Sequence, residues 1–523
     1  MIHAVIIIIA YKSFRHRNSS SMEFVFMSTT NFMRESSAES SVIVSDEGLG
    51  TDFLYIQLLE KIKGLIRNST LKPGDKLLSI RAMSKEQGLS ITTVYKAYSE
   101  LEVMGLIEAK TKSGYYVKTN PRRLYRVTKE LRELTDMGAI DADEMPNEVY
   151  KNLAEKNIIQ LSLSAPAVCL LPKVKLNKTM AEMIRKSNDG GIAYESIQGN
   201  DLLRKEIARH SFNWGGNLNA DDIVTTQGCI EALTFCLMTV TSPGDAVAIE
   251  TPGFFRIVNV LKSLGLKAVK IPTNAETGPD LNYLKTVLPG IKACLFTPSF
   301  NNPMGSCMPD TLKKQLVEML AEHDIPLIED DVFGECYFGD SRPRTCKSYD
   351  KKGLVLLCSS VSKTLAPGYR VGWCIPGKFI KKVIQVKITH SLASPGPTHA
   401  TVGLFFKTGR LDLHLRKLRR SLSLQCVQYT QAITKYFPED TQISRPKGGC
   451  FLWIRLNEVV DSNELFQKAM EDKICIAPGN MLAADTCFVN YIRLGIGDPF
   501  TQTIEESLET LGQLIKVMIT AKK

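Results

Sequence analysis

In the stretch SVSKTLAPGYR, residues 360–370, one lysine, Lys363, stands among small hydroxyl residues, with a Pro-Gly turn and Arg370 just beyond. A lysine becomes a nucleophile when its surroundings lower its pKa, and nearby hydroxyls and an arginine are donors suited to an anion. Other groups of this kind follow short apolar runs. After Asp222–Thr225 comes "TQGC", a glycine turn opening a helix whose free amides at Gly228 and Cys229 suit a phosphate. After "AVAIE" comes "TPGFF", with Phe254 able to stack on a flat ring; after "ACLFTP" come Asn301 and Asn302; after "IPLIE" comes the acidic pair Asp330-Asp331; after "LVLLC" come Ser359, Ser360, Ser362 and Lys363.

Singly, each of these is an ordinary loop former or cap. Together they meet the needs of pyridoxal 5'-phosphate. Its aldehyde needs an amine, for which Lys363 is placed. Its phosphate needs Arg370, the hydroxyls of Ser360 and Ser362, and the amides of Gly228 and Cys229. Its ring nitrogen stays protonated beside a buried carboxylate, Asp330. Asn302 can bond its phenolate oxygen, and Phe254 can cover one ring face.

The elements that must hold these groups are strands and helices in alternation from about Ile159 onward. Apolar strands buried on both faces imply an α/β fold with a mainly parallel sheet, and chemistry in such sheets gathers at the carboxyl ends of the strands. Residues 159–523 resemble the fold-type I aminotransferases. The motifs are Ser360-Val361-Ser362-Lys363 with Arg370 seven residues after the lysine, Asn302-Pro303-Met304-Gly305, Asp330, and Arg493-Leu494-Gly495. The resemblance implies that Arg493 grips the carboxylate of an amino compound, and it brings Tyr194 of "YESIQGNDLLRKEIA" near the cofactor. One departure stands out: the family has a tyrosine where this chain has Phe333.

A smaller unit precedes the large one. In residues 51–118, Leu58, Leu59, Ile62 and Ile66 share one helical side before the Lys72-Pro73-Gly74-Asp75 turn. A short helix closed by Gly88 follows, and then a third with Ser90 as N-cap and Gly105 as its stop. Val94, Ala97, Tyr98 and Leu101 face inward in the third helix, leaving Thr92, Thr93, Tyr95 and Lys96 outward. "IEAKTKSGYYV" is a hairpin with Lys110 and Lys112 at its basic turn. Three helices and a two-stranded wing form a winged helix-turn-helix, whose third helix enters the major groove. The unit resembles the DNA-binding domain of the GntR family through Pro73-Gly74-Asp75, Leu77-Leu78-Ser79, Arg81, Ser90 and "KAYSELEVMGLI". Leu78 replaces that family's proline and Ile91 stands where an arginine often follows the serine.

Such a head on an aminotransferase-like body resembles the MocR subfamily of bacterial transcription regulators. That resemblance implies binding of operator DNA, sensing of a small amino-compound effector through the cofactor, and a head-to-tail homodimer. The alternative is an aminotransferase acting on an α-amino acid.

Size and composition agree with two domains. The chain has 523 residues, a formal net charge of +10 and 13 cysteines with no metal-ligand spacing. Reduced thiols in the cytoplasm are therefore expected, with no metal. The apolar run Ala4–Ala10 is too short for a membrane span, and Lys12, Arg15 and Arg17 follow it instead of preceding it as in a signal peptide. Residues 1–50 are expected to be a poorly ordered extension, with Met22, Met27 and Met33 as alternative starts, and residues 119–158 a linker running from basic to acidic.

Overall fold

The computed structural model describes residues 50–67, 71, 74–110, 113–118, 155, 157–482 and 486–522. Apart from Gly50, the expected extension over residues 1–50 therefore lies outside the described residues, as do nearly all of the 119–158 linker and Lys72, Pro73 and Lys112.

In the head, α1 (Gly50–Arg67), α2 (Ile80–Gln87) and α3 (Ile91–Val103) precede the hairpin of β1 (Ile107–Lys110) and β2 (Gly114–Val117). Local chemistry sets each boundary. Ser79 caps α2 by accepting the Ala82 amide at 3.2 Å, and Gly88 ends it in a left-handed conformation, φ 65°. Ser90 caps α3 by accepting the Thr93 amide at 3.0 Å. The three helices close on Leu58, Leu59, Ile62, Leu77, Val94, Ala97, Tyr98 and Leu101, all buried. Each large side chain buried there stabilises the head by about 1.5–3 kcal/mol. The wing is tied back to the turn before α2: the Gly74 amide donates to Val117 and the Val117 amide to Asp75, both at 2.8 Å.

The body is built on an eight-stranded sheet. Its spatial order is Val224–Thr226, Gly372–Ile375, Val355–Ser360, Leu327–Asp330, Ala293–Phe296, Ala246–Thr251, Lys267–Asn274 and Gly278–Pro279. The five strands from Val355–Ser360 to Lys267–Asn274 run parallel, while Gly372–Ile375 is antiparallel to both of its neighbours. The parallel core is fully buried, as apolar runs without alternation require. In register, Cys358 lies opposite Asp330, so the strands carrying Asp330 and Ser360 end at the same edge.

A second, four-stranded antiparallel sheet joins Gln442–Ile443, Phe451–Arg455, Tyr491–Gly495 and Ala477–Pro478. It packs with the Arg410–Tyr436, Ser462–Glu471 and Gln502–Ala521 helices around Trp453, Phe451, Phe466 and Ile515. Among the described residues no helix is long and apolar enough to cross a membrane, and no cluster of His, Cys, Asp or Glu could hold a metal ion.

Candidate functional site

Lys363 closes a short helical turn that begins directly after the Val355–Ser360 strand. Its Nζ donates to the Ser164 carbonyl oxygen at 2.6 Å and lies 5.3 Å from the centre of the Phe333 ring. Burial lowers its pKa, and the charge of Arg493 adds to this. Lys363 thus keeps more of its neutral, nucleophilic form than a solvated lysine would.

Asp330, at the end of the neighbouring strand, is 5% exposed. Burial pushes its pKa up to about 6, against the Val332 amide, which donates to it at 3.0 Å, and the Cys229 thiol at 3.5 Å. A buried carboxylate held this high gains by meeting a positive group, such as a protonated ring nitrogen.

Across from it, Gly228 adopts φ 92° and begins the Cys229–Val240 helix. Arg370, itself in a left-handed conformation, donates to Ser362 Oγ at 3.3 Å and to the Gln227 carbonyl at 3.1 Å. A Cβ at Gly228 would collide with the Arg370 guanidinium, and a Cβ at Gly372 would lie 2.6 Å from Gly228 Cα. Both positions need glycine because backbone and arginine meet there around free helix amides. Ser360 Oγ accepts the Ser362 amide at 3.3 Å, shaping the same turn. The residues therefore fit a phosphate-bearing pyridoxal group: an anion cradle at one end, a carboxylate for the ring nitrogen, and an amine between.

Arg493, 3% exposed, reaches the site from the second sheet. Its Nη1 donates to Asn302 Oδ1 at 2.9 Å and its Nη2 to the Ser162 carbonyl. With Oδ1 so occupied, the Asn302 amide nitrogen is the group left to donate to a ligand. Phe254 is half-buried and meets Phe255 edge-on at 5.3 Å between ring centres. Phe333, 3% exposed, packs edge-on against Phe451, so an apolar ring stands beside Lys363, as the departure from the family's tyrosine implied.

Two sets of residues escaped the sequence. The first is the segment Leu161–Ala165, whose carbonyls hold both Arg493 and Lys363. Its signal was the "RLGIG" spacing, because Gly495 and Gly497 lie under the Leu163 and Ala165 carbonyls with no room for a Cβ. The second is the ion network behind Asp330. Arg342, 9% exposed, pairs with Asp331 and, at 2.5 Å, with Glu335. Burial opposes the charge of Glu335, yet Arg342 and His210 pull its pKa down to about 2.

Two expectations are corrected. Thr93 does not face outward: it is 7% exposed, because its hydroxyl turns into the helix start and meets Ser90 Oγ at 2.7 Å. Tyr194 is not gathered around Lys363 within the chain: it is 88% exposed, as the Gly190–Gly191 turn carries it out to the surface. In the head, Thr92 and Tyr95 are exposed as expected, and so are Arg81 and Ser90. Lys96 is half-buried, engaged by Asp340 at 2.5 Å and by the Tyr55 ring at 4.2 Å. Lys110 is exposed, 3.5 Å from Glu108 and over the Tyr116 ring at 4.7 Å.

Residues 156–511 match the family described as aminotransferase class I and II. The chain belongs to that family. Residues 54–117 match the bacterial regulatory proteins of the gntR family, so this aminotransferase-family chain carries a DNA-binding helix-turn-helix at its front. It is 33% identical to the HTH-type transcriptional regulator YjiR of Escherichia coli strain K12, over 88% of this chain and 98% of that one. It is also 25% identical to the regulator NorG of Staphylococcus aureus strain USA300, over 84% of this chain and 99% of that one. Among solved structures, it resembles LysN, an α-aminoadipate aminotransferase from Thermus thermophilus complexed with N-(5'-phosphopyridoxyl)-L-leucine. That likeness has 25% identity and a TM-score of 0.67, covering 73% of this chain and 96% of LysN. The architecture is MocR-like: a GntR-type transcriptional regulator with an aminotransferase-like body.

Proposed function

We propose that this regulator holds pyridoxal 5'-phosphate in its body and that a small amino compound entering there changes the head's hold on operator DNA. The observation that carries the reading is one edge of the sheet, where the Lys363 amine, the Asp330 carboxylate and the Gly228–Arg370 cradle meet in a chain fronted by a helix-turn-helix. When bound, the cofactor supplies an aldehyde that exchanges amines reversibly and a ring that withdraws electrons.

The chain's own residues have separable roles. Arg370, Ser360, Ser362 and the Gly228 and Cys229 amides hold the phosphate. Asp330 would keep a proton on the ring nitrogen, Asn302 would donate to the phenolate oxygen, and Phe254 would cover a ring face. Arg493 swings its fork from the Ser162 carbonyl to an effector carboxylate, a geometry its guanidinium matches. In the head, Arg81, Lys96, Lys110 and Lys112 meet phosphates, while Ser90, Thr92 and Tyr95 meet the groove. A head-to-tail homodimer completes the reading, and the exposed Tyr194 is available to a second copy.

The test is coupling. An effector acts only if it binds two global states unequally, and such linkage is typically about 1–3 kcal/mol, or about 5- to 150-fold in DNA affinity. Affinity for duplex DNA from upstream of the gene should change by this factor when an amine displaces Lys363, and the DNA should change the amine's affinity equally. Arg493→Ala should remove the response to carboxylate-bearing amines and leave binding without effector intact.

The intact Lys363, Asp330 and Arg493 set favours a second reading, an aminotransferase acting on an α-amino acid. That reading wins if keto acid gives multiple turnovers while no amine alters DNA affinity.

A further inference from the structure

The helix that would read DNA is held by the body, and the segment that holds it starts at the site carboxylate. We infer that residues 331–345 transmit the state of the Lys363–Asp330 site to α3, through a Lys96–Asp340 ion pair that must open before α3 can enter a groove. This deepens the reading above and rests on it.

The contact is made by the DNA-facing helix itself. Lys96 Nζ lies 2.5 Å from Asp340 Oδ2. One turn further on, Glu100 feels the charge of Arg445, and it acts in turn on Cys426 of the Arg410–Tyr436 helix. Positions 96 and 100 share one helical face, so that face of α3 lies against the body. Lys96 cannot give its charge to Asp340 and to a DNA phosphate at once. The Asp340 carboxylate would also repel the backbone of any duplex brought to α3.

The far end of the segment touches the site at three points. Asp331 follows Asp330 directly, Phe333 faces Lys363 Nζ at 5.3 Å, and Cys336 Sγ lies 3.6 Å from the Lys363 carbonyl oxygen. Arg342 then clamps Asp331 and Glu335 together, two residues beyond Asp340. The Phe338 amide donates to the Lys447 carbonyl at 2.9 Å, and Tyr337 bridges Gly448, which ties the middle of the segment down beside Arg445. A segment pinned by a buried arginine is stiff, so a shift at Phe333 moves Asp340 instead of being absorbed.

The strength of the contact suits a latch. The Lys96 and Asp340 side chains are 33% and 68% exposed, and ion pairs so exposed are weak and screened by salt. Asp340→Asn in the full-length protein should therefore tighten binding to the upstream duplex about two- to fivefold without amine, measured by fluorescence anisotropy at low salt. It should also shrink the response to an amine.

Lys96→Ala should weaken binding, and adding Asp340→Asn to Lys96→Ala should bring a smaller gain than Asp340→Asn brings alone, because only the repulsion is then relieved. The control is Asp324→Asn, which removes a body carboxylate that faces Lys352 instead of the head. Unchanged affinity in Asp340→Asn, or an equal gain in Asp324→Asn, overturns the latch. Failure of every amine to shift the wild-type protein would instead sink the sensing reading, and the Asp340 gain is read without any amine.

Discussion

The body and the head set the residues proposed to act in each in opposite environments. In the body, Asp330, Arg342 and Arg493 are buried, so each charge is held against desolvation by chosen partners. In the head, Arg81, Ser90, Thr92, Tyr95 and Lys110 are exposed, so their charges and hydroxyls stay largely solvated. The difference predicts how each region fails. A change in the body strands a neighbouring charge and is read as lost folding or lost ligand. A change in the head costs little stability and is read in DNA affinity and its salt dependence.

The largest effect tests the body network. Arg342→Ala strips buried Asp331 of its ion-pair partner and leaves Glu335 with only His210 and Arg419, and should cost about 3–5 kcal/mol in urea unfolding. A loss below about 1 kcal/mol would show that the network is not the constraint described.

The pH dependence is next in size. The Glu335 pKa lies at about 2 in the folded chain against an ordinary value of 4.5. A depressed carboxylate contributes stability above the unfolded value and loses it as pH falls through the folded one, so the window is about pH 4.5 to 2. About 3 kcal/mol should disappear there, and Glu335→Gln should flatten that part of the curve.

Arg370→Ala removes charge-assisted donors and should weaken pyridoxal phosphate binding about ten- to a hundredfold, read from absorbance on titration. Lys363→Ala should abolish the change in absorbance that covalent attachment of pyridoxal phosphate to this lysine would give. Borohydride treatment followed by peptide mapping should mark Lys363 and no other lysine.

The smallest effects fall on the head. Lys110→Ala should lower DNA affinity for all sequences alike and reduce the salt slope by about 1, with the unfolding midpoint unmoved. Thr92→Ala should alter preference among sequences instead, since it is exposed in the first turn of α3. A sequence-independent loss for Thr92→Ala would break the contrast between positioning and reading residues.

Much of this was legible in the chain. The inward positions of α3, Val94, Ala97, Tyr98 and Leu101, are 0% exposed, as their helical spacing required. The cap at Ser90 and the glycines at 88 and 105 mark element ends because their chemistry acts within a few residues. Lys363, Asp330 and Gly228 were legible for a similar reason: each follows an apolar strand, and a parallel sheet brings strand ends to one edge. Thr93 departs from its expected place because outward spacing does not show that a hydroxyl will turn back to its own N-cap.

What sequence alone determined, then, was whatever depends on neighbours along the chain: helix faces, caps, strand ends and the residue types waiting there. Only the tertiary structure decided which distant groups meet. The Ser164 carbonyl at Lys363, Asn302 at Arg493, and Asp340 at Lys96 join residues far apart in the chain. Electrostatics and desolvation act through space, so no local pattern announces such partners.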